Sequence, residues 1–128
     1  MTKEDKELLL MDLCARLPYK VKIRINSKPK VLLGVGDGSV IVRERDKHGY
    51  NWAVCDVDEW NAKPYLRPMS SMTEYEKNEI KTLNRISSNK WPCRFDITDY
   101  YNAHHFDYRG LIEKGLAIEA PKDLYKTK

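Results

Sequence analysis

The chain has 128 residues, a formal net charge of +4, and 33% charged against 41% hydrophobic residues. A chain of this length folds around one core, and its apolar content is too high for a disordered protein. The longest unbroken aliphatic run, residues 8–11, is too short to span a bilayer. We therefore predict one domain over residues 1–121 and a polar tail over residues 122–128.

The first predicted element is a helix over residues 3–16. Thr2 and Asp5 have the spacing of a capping box, in which each side chain bonds to the other's backbone N–H group. Apolar residues then repeat at helical spacing: Leu9, Leu10, Leu13, Cys14 and Leu17. Pro18 marks the end of this predicted amphipathic helix.

An antiparallel meander is predicted next. Val21, Ile23 and Ile25 alternate with basic residues, which is typical of a half-buried strand. A turn at residues 26–29 and a loop at residues 46–49 separate further strands at residues 31–33, 40–42 and 52–57. Asp37-Gly38 is a hairpin-turn pair, and the strand-like residues after it argue against a phosphate-binding loop at residues 34–39.

The second half is predicted to be mainly helical. Residues 64–68 are extended or turn-like because each proline restricts the residue before it. Thr73 and Glu76 form a capping box for a helix of about 14 residues that ends at residues 87–89. Trp91-Pro92 prevents the helix from continuing. Asp96 or Thr98 then caps a short helix that extends to His104. Asp107 then caps a turn closed by Gly115, and residues 116–120 return as an edge strand.

These elements predict an α+β fold. Its antiparallel sheet has about four to five strands, with the N-terminal and central helices packed on one face and short helices at the C-terminal end.

Basic residues are concentrated between residues 13 and 36, where no acidic residue occurs. Lys20, Lys22 and Arg24 would project from one strand face about 6.6 Å apart, close to the phosphate spacing of an extended single strand. Apart from Tyr19, no aromatic residue interleaves with them, so we expect at most weak nucleic-acid binding. The alternative is an ordinary solvated face.

Catalytic and metal-binding signatures are weak. The cysteines, Cys14, Cys55 and Cys93, are odd in number and far apart, which favours reduced thiols and a cytoplasmic location. His48 and Cys93 lack ligand spacing, so we predict no metal and no cofactor. His104 and His105 could act as general acid and base on a phosphodiester, although adjacent helical residues point about 100° apart.

Residues 63–73 form the densest candidate binding segment. Two prolines stiffen it, so Tyr65 and Arg67 lose little entropy on meeting a ligand, and Arg67 can grip a phosphate with two hydrogen bonds. Ser70, Ser71 and the helix start at Thr73 could complete an anion site. The alternative is a well-packed loop in which Tyr and Met side chains fill the core and the serines only cap backbone groups.

A second candidate group lies near the C-terminal end. Tyr108 and Arg109 could join the pocket with His104 by stacking and by phosphate contact.

Two blocks also resemble a known family. They are KPYLRPMSSMT at residues 63–73, and HHFDYRGLI with GLAIEAP within residues 104–121; the opening LCARLPY at residues 13–19 is similar too. Together they resemble small proteins encoded by gut anaerobic bacteria and their phages. The resemblance implies a phage or mobile-element setting and a bacterial cytoplasm, and it transfers no catalytic residue. Small phage proteins in that setting include oligomeric sponges that bind nucleotide immune signals without cleaving them.

The sequence therefore predicts a non-enzymatic protein that binds a small anionic ligand, most simply a nucleotide. Its site would be shared between subunits of a homo-oligomer, because a 15 kDa domain has little room for a deep pocket. A protein–protein interaction module that inhibits a host defence protein is the alternative. A phosphodiesterase and a single-strand nucleic-acid binder are further alternatives.

Overall fold

A computed structural model of the protein describes residues 2–46, 49–89, 97–121 and 124–125. Its helices are α1 (Lys3–Arg16), α2 (Glu74–Asn89) and α3 (Ile97–Ala103), with short 3₁₀ turns at Leu17–Tyr19 and Met69–Ser71. Its strands are β1 (Lys22–Ile25), β2 (Lys28–Val35), β3 (Ser39–Asp46), β4 (Gly49–Asp56), β5 (Lys63–Leu66) and β6 (Ile118–Glu119). The predicted features at His48, Trp91, Pro92, Cys93 and Asp96 lie outside the described residues.

The strands form one open sheet in the order β4-β3-β2-β1-β5-β6. Neighbouring strands are antiparallel except β5 and β6, which run parallel. The predicted α+β class is confirmed, with six strands instead of four to five. β5 lies mostly within residues 64–68, which were predicted only as extended or turn-like. It pairs with β1 and so extends the sheet toward β6. No helix among the described residues is long and apolar enough to cross a membrane.

The α1 helix begins at the predicted capping box: Thr2 Oγ1 accepts from the Asp5 N–H at 3.0 Å. Its buried residues are Leu9, Asp12, Leu13 and Arg16. Cys14 was predicted on the apolar stripe and is exposed, so that assignment is wrong. The buried face is rotated toward Asp12 and Arg16 because these two residues neutralise each other, which allows a polar pair to be buried.

The hairpins follow their turn chemistry. Asn26 and Ser27 both adopt left-handed φ values, 55° and 66°, as a two-residue turn compatible with strand twist requires. Lys28 and Pro29 were predicted in this turn but belong to β2, because two residues suffice to reverse the chain. The predicted hairpin at Asp37-Gly38 is confirmed, with Gly38 at φ 81°.

One face of the sheet is buried, and the other is exposed on the side of β4. The inner face packs against Leu9 and Leu13 of α1 and carries the fully or almost fully buried residues Val21, Ile23, Ile25, Leu32, Val40, Val42 and Cys55. α2 begins at the predicted Thr73–Glu76 capping box and contacts α3, whose Tyr100 hydroxyl donates to Glu79 at 2.6 Å. The predicted cap at Asp107 is also confirmed, since its carboxylate accepts from the Leu111 and Ile112 N–H groups.

Candidate functional site

Arg67, the predicted phosphate ligand, is held by a carboxylate of the protein itself. Its two terminal nitrogens donate to the two oxygens of Glu76, both at 2.8 Å, and one donates also to the Ser71 carbonyl at 3.2 Å. The guanidinium lies over the Phe106 ring, 4.2 Å from its centroid. This bidentate pair uses the geometry that would otherwise grip a phosphate.

Glu76 is the centre of this arrangement. Besides Arg67, its carboxylate accepts from the Thr73 N–H at 2.9 Å, and its Oε2 lies 3.6 Å from His104 Nδ1. The bond from Arg67 is the main reason that the pKa of Glu76 falls to about 2. Glu76 is therefore ionised at neutral pH and neutralises Arg67.

Two adjoining clefts open around this pair. They have volumes of about 350 and 580 Å³, share Arg67, Thr73, Glu76 and Tyr125, and together also include His104 and Ser71. Three predicted ligand residues thus line one groove. Glu79 and Glu119 also line this groove. Among the described residues it therefore has the carboxylates of Glu76, Glu79 and Glu119 but only one guanidinium, that of Arg67.

The other residues of the 63–73 segment are partly structural. Tyr65 is 9% exposed, and its carbonyl accepts from the Tyr125 hydroxyl at 2.7 Å. The Ser71 hydroxyl donates to the Pro68 carbonyl at 2.7 Å, while Ser70 is exposed. These contacts agree with the alternative of a packed, capped loop.

Arg109 and Tyr108 lie in a separate cluster. Arg109 donates from Nε to Asp12 Oδ1 at 3.0 Å and from Nη2 to the Tyr108 hydroxyl at 3.0 Å. Asp12 Oδ2 accepts from Arg16 Nε at 2.7 Å, and both of these side chains are fully buried. The backbone carbonyl of Phe106, whose ring lies under Arg67, accepts from Arg16 Nη2 at 2.6 Å. The structure therefore does not bring Arg67 and Arg109 to one anion.

The two histidines point to different partners. The His104 ring stacks on Tyr100 with centroids 4.1 Å apart, whereas the His105 ring stacks on Tyr125 at 3.8 Å. Burial, aided by the charge of Arg16, lowers the pKa of His105 to about 4. At neutral pH His105 is therefore neutral. Both histidines line the smaller of the two clefts, although their rings stack on different tyrosines.

Tyr125 lies in the segment predicted as a polar tail. Its hydroxyl accepts from the Lys22 N–H at 2.8 Å and donates to the Tyr65 carbonyl, and so bridges β1 and β5. This contact between distant segments leaves no trace in local sequence patterns.

The predicted basic patch is only partly assembled. Lys22 and Arg24 share the outer face of β1, which is an interior strand of the sheet. Lys20 precedes the strand and has a left-handed φ of 57°, so its predicted place on the strand is wrong. The left-handed residue ends the 3₁₀ turn after α1 and redirects the chain into β1.

An exposed apolar surface lies on the outer face of the sheet, on the side of β4. Trp52 is 62% exposed and Val54 57% exposed, on a strand that pairs only with β3 among the described strands. The cross-strand neighbour of Val54 is Ile41. The pairing of β2 with β3 shifts register between Leu32 and Gly34, which places Leu33 next to Ile41. We call Leu33, Ile41, Trp52 and Val54 the outer patch.

The outer patch was missed at the sequence level, although its signal was present. In residues 52–55, Trp-Ala-Val-Cys alternates large and small apolar residues, so neither face is marked as polar. Only the sheet order shows that one of these faces lies open at an edge. Arg43 lies opposite Trp52 in register and borders the patch.

Comparison with protein-family models, curated proteins and solved structures finds no match to this chain. Among the described residues, no group of three His, Cys, Asp or Glu residues is placed to hold a metal ion.

Acidification is expected to destabilise the protein in two steps. His105 has a pKa of about 4 in the folded chain against an ordinary 6.5, so its stabilising contribution is complete above pH 6.5 and is lost as the pH falls to 4. The full loss is about 3 kcal/mol. Glu76 has a pKa of about 2 against 4.5, so its contribution is lost between pH 4.5 and 2.

Urea unfolding at pH values from 7 to 2.5 measures both steps. His105→Gln should remove the loss of stability between pH 6.5 and 4 and keep the loss between pH 4.5 and 2. Glu76→Gln should remove the loss between pH 4.5 and 2 and keep the other. A His105→Gln curve that parallels the parent protein between pH 6.5 and 4 would show that the ring is not held neutral.

Proposed function

We propose that this protein is a non-enzymatic binding protein that docks a partner protein on the outer patch. The observation that carries the proposal is the exposure of Trp52 and Val54, side by side on an open sheet face. Partially exposed single apolar residues are common, but a contiguous group centred on a tryptophan is typical of an interaction site.

The residues around the patch support a protein partner. Leu33, Ile41 and Val54 are aliphatic and offer no stacking surface for a base, whereas an apolar protein surface fits them. Arg43 provides a polar rim beside Trp52. The resemblance to phage proteins suggests a bacterial host defence protein as the partner.

Selection from a displayed random peptide library can test the patch without a known partner. We expect selected peptides to shift the backbone amide resonances of β3 and β4. Trp52→Ser with Val54→Ser should weaken their binding at least tenfold, since a central tryptophan commonly provides that much of an interface.

Tyr75→Ser is the matched control, because Tyr75 is 72% exposed on α2 and lines the smaller of the two clefts, not the outer patch. It should leave peptide binding unchanged. Peptides that survive the double substitution, or that shift resonances around Arg67 instead, would contradict docking on the outer patch.

A small anionic ligand, such as a nucleotide, is the second candidate. It is favoured because Arg67, Ser71 and His104 line one groove whose larger cleft, about 580 Å³, has the volume of a small-molecule site. Calorimetry with AMP is the test: the carboxylates of the groove should make binding weak, and tight binding that Arg67→Ala removes would favour this candidate over the first.

Nucleic acid is a third outcome, because Lys22 and Arg24 share the sheet face with Trp52. A single-stranded oligonucleotide bound at physiological salt, with a steep salt dependence and loss in Trp52→Ser, would assign the surface to nucleic acid.

A further inference from the structure

We propose that β4 pairs with β4 of a second copy of this chain, in antiparallel orientation about a twofold axis at Ala53. The two sheets would then form one continuous sheet of twelve strands, and the two outer patches would become one platform. The inference goes beyond the proposed function, because it concerns the backbone edge of β4 and not the side chains that dock a partner.

The edge of β4 lacks the usual protection against pairing. Edge strands in soluble proteins are commonly short, bulged, or interrupted by lysine or proline. β4 has eight residues, GYNWAVCD, with no lysine, arginine or proline, and its only charge is Asp56 at the end. Its pairing with β3 is regular over all eight residues, so the strand is not bent away. At the opposite edge, β6 has only two residues.

The backbone groups at this edge can be identified from the ladder. The Val57 N–H donates to the Gly38 carbonyl and therefore faces β3. The Trp52 N–H donates to Oδ1 of the neighbouring Asn51 side chain at 2.9 Å and not to β3. Orientation alternates along a strand, so the N–H and C=O groups of Trp52 and Val54 face the edge. A second strand would bond these groups, and at the Trp52 N–H it would replace the Asn51 side chain.

The strand is complementary to itself in one register. A twofold axis at Ala53 places Trp52 opposite Val54 of the second copy, twice, as hydrogen-bonded pairs. Aromatic residues beside β-branched residues are favourable cross-strand pairs. Ala53 lies opposite itself in the closer, non-hydrogen-bonded position, where a small side chain fits. In this register Asp56 is paired with position 50 of the second copy, which carries no charge, so no like charges are paired.

Edge pairing leaves the outer faces open. Side chains in a sheet point above and below the plane, whereas new hydrogen bonds form within it. Trp52 and Val54 of both copies would therefore stand next to one another on one exposed face. A partner with twofold symmetry, or a long apolar groove, would fit this platform.

The register is tested by disulfide trapping in the full-length chain, with Cys14→Ser and Cys93→Ser as background. Ala53→Cys should give a covalent dimer on mild oxidation, because the two thiols would face each other across the axis. Val54→Cys is the control: its thiol would lie opposite Trp52 of the second copy, so the dimer yield should fall at least fivefold.

Sedimentation velocity measures the dimer without cross-linking. We expect a concentration-dependent dimer in the unmodified chain that Val54→Pro abolishes, because proline removes an edge-facing N–H and spares the ladder with β3. Val54→Thr, which keeps that N–H, should still dimerise. A monomer at all concentrations, or a dimer that survives Val54→Pro and traps equally at both cysteines, would overturn the pairing. Peptide binding to the outer patch by a monomer would leave the proposed function intact.

Discussion

Asp12→Ala is expected to lower the free energy of unfolding by about 3–5 kcal/mol. The Asp12 carboxylate accepts from Arg16 at 2.7 Å and from Arg109 at 3.0 Å, and the side chains of Asp12 and Arg16 are fully buried. Removal of the carboxylate leaves the Arg16 charge in the interior. Its remaining contacts among the described residues are a hydrogen bond to the Phe106 carbonyl and the Tyr108 ring, 5.3 Å from the guanidinium. Urea unfolding at pH 7 measures the loss.

Two controls separate charge burial from packing. Asp12→Ala combined with Arg16→Met removes both charges and keeps the volume of the longer side chain, so it should recover much of the lost stability. Asp58→Ala breaks an ion pair with Lys6 that has the same 2.7 Å separation but is solvent-exposed, and it should cost far less. Equal losses for Asp12→Ala and Asp58→Ala would contradict the buried role.

Local signals in the sequence predicted much of the fold. The capping boxes at Thr2 and Thr73 fixed the starts of α1 and α2, because a cap is formed by residues three apart. The hairpin at Gly38 was predicted for the same reason: a turn depends on the conformations of its own residues.

The parts that were missed depend on contacts between distant segments. Asp12 and Arg16 have the spacing of an exposed helix pair, and only the arrival of Arg109 and Phe106, about ninety residues later, explains their burial. The pairing of β5 with β1 and β6 is equally non-local. No periodicity in one segment encodes which strand becomes the open edge.

The candidate ligand residues illustrate the same limit. The sequence predicted Arg67 as a phosphate ligand and, separately, Glu76 as part of the capping box of α2. It did not show that these two interactions belong to one carboxylate, which serves the cap and the guanidinium together. A guanidinium placed for bidentate contact is equally suited to a ligand and to an internal carboxylate, so sequence cannot separate the two.

Arg67→Ala separates these two roles and is expected to destabilise the fold by about 2–3 kcal/mol. The substitution leaves Glu76, 11% exposed, without its guanidinium, and it uncovers the Phe106 ring. The loss should shrink as the pH falls from 4.5 toward 2, where protonation of Glu76 ends the pair in the parent protein as well. Urea unfolding at pH 7 and pH 3 measures both effects.

A double-mutant cycle completes this test. If Arg67 acts through Glu76, Arg67→Ala should cost much less when Glu76→Gln is already present, because the pair is then already broken. Arg67→Lys should recover only part of the loss, since an ammonium cannot form the two parallel hydrogen bonds. Arg24→Ala, on the outer face of β1, is the matched loss of one positive charge and should have a small effect. Stability unchanged by Arg67→Ala, together with lost affinity for AMP, would instead assign Arg67 to a ligand and return the anionic ligand to first place.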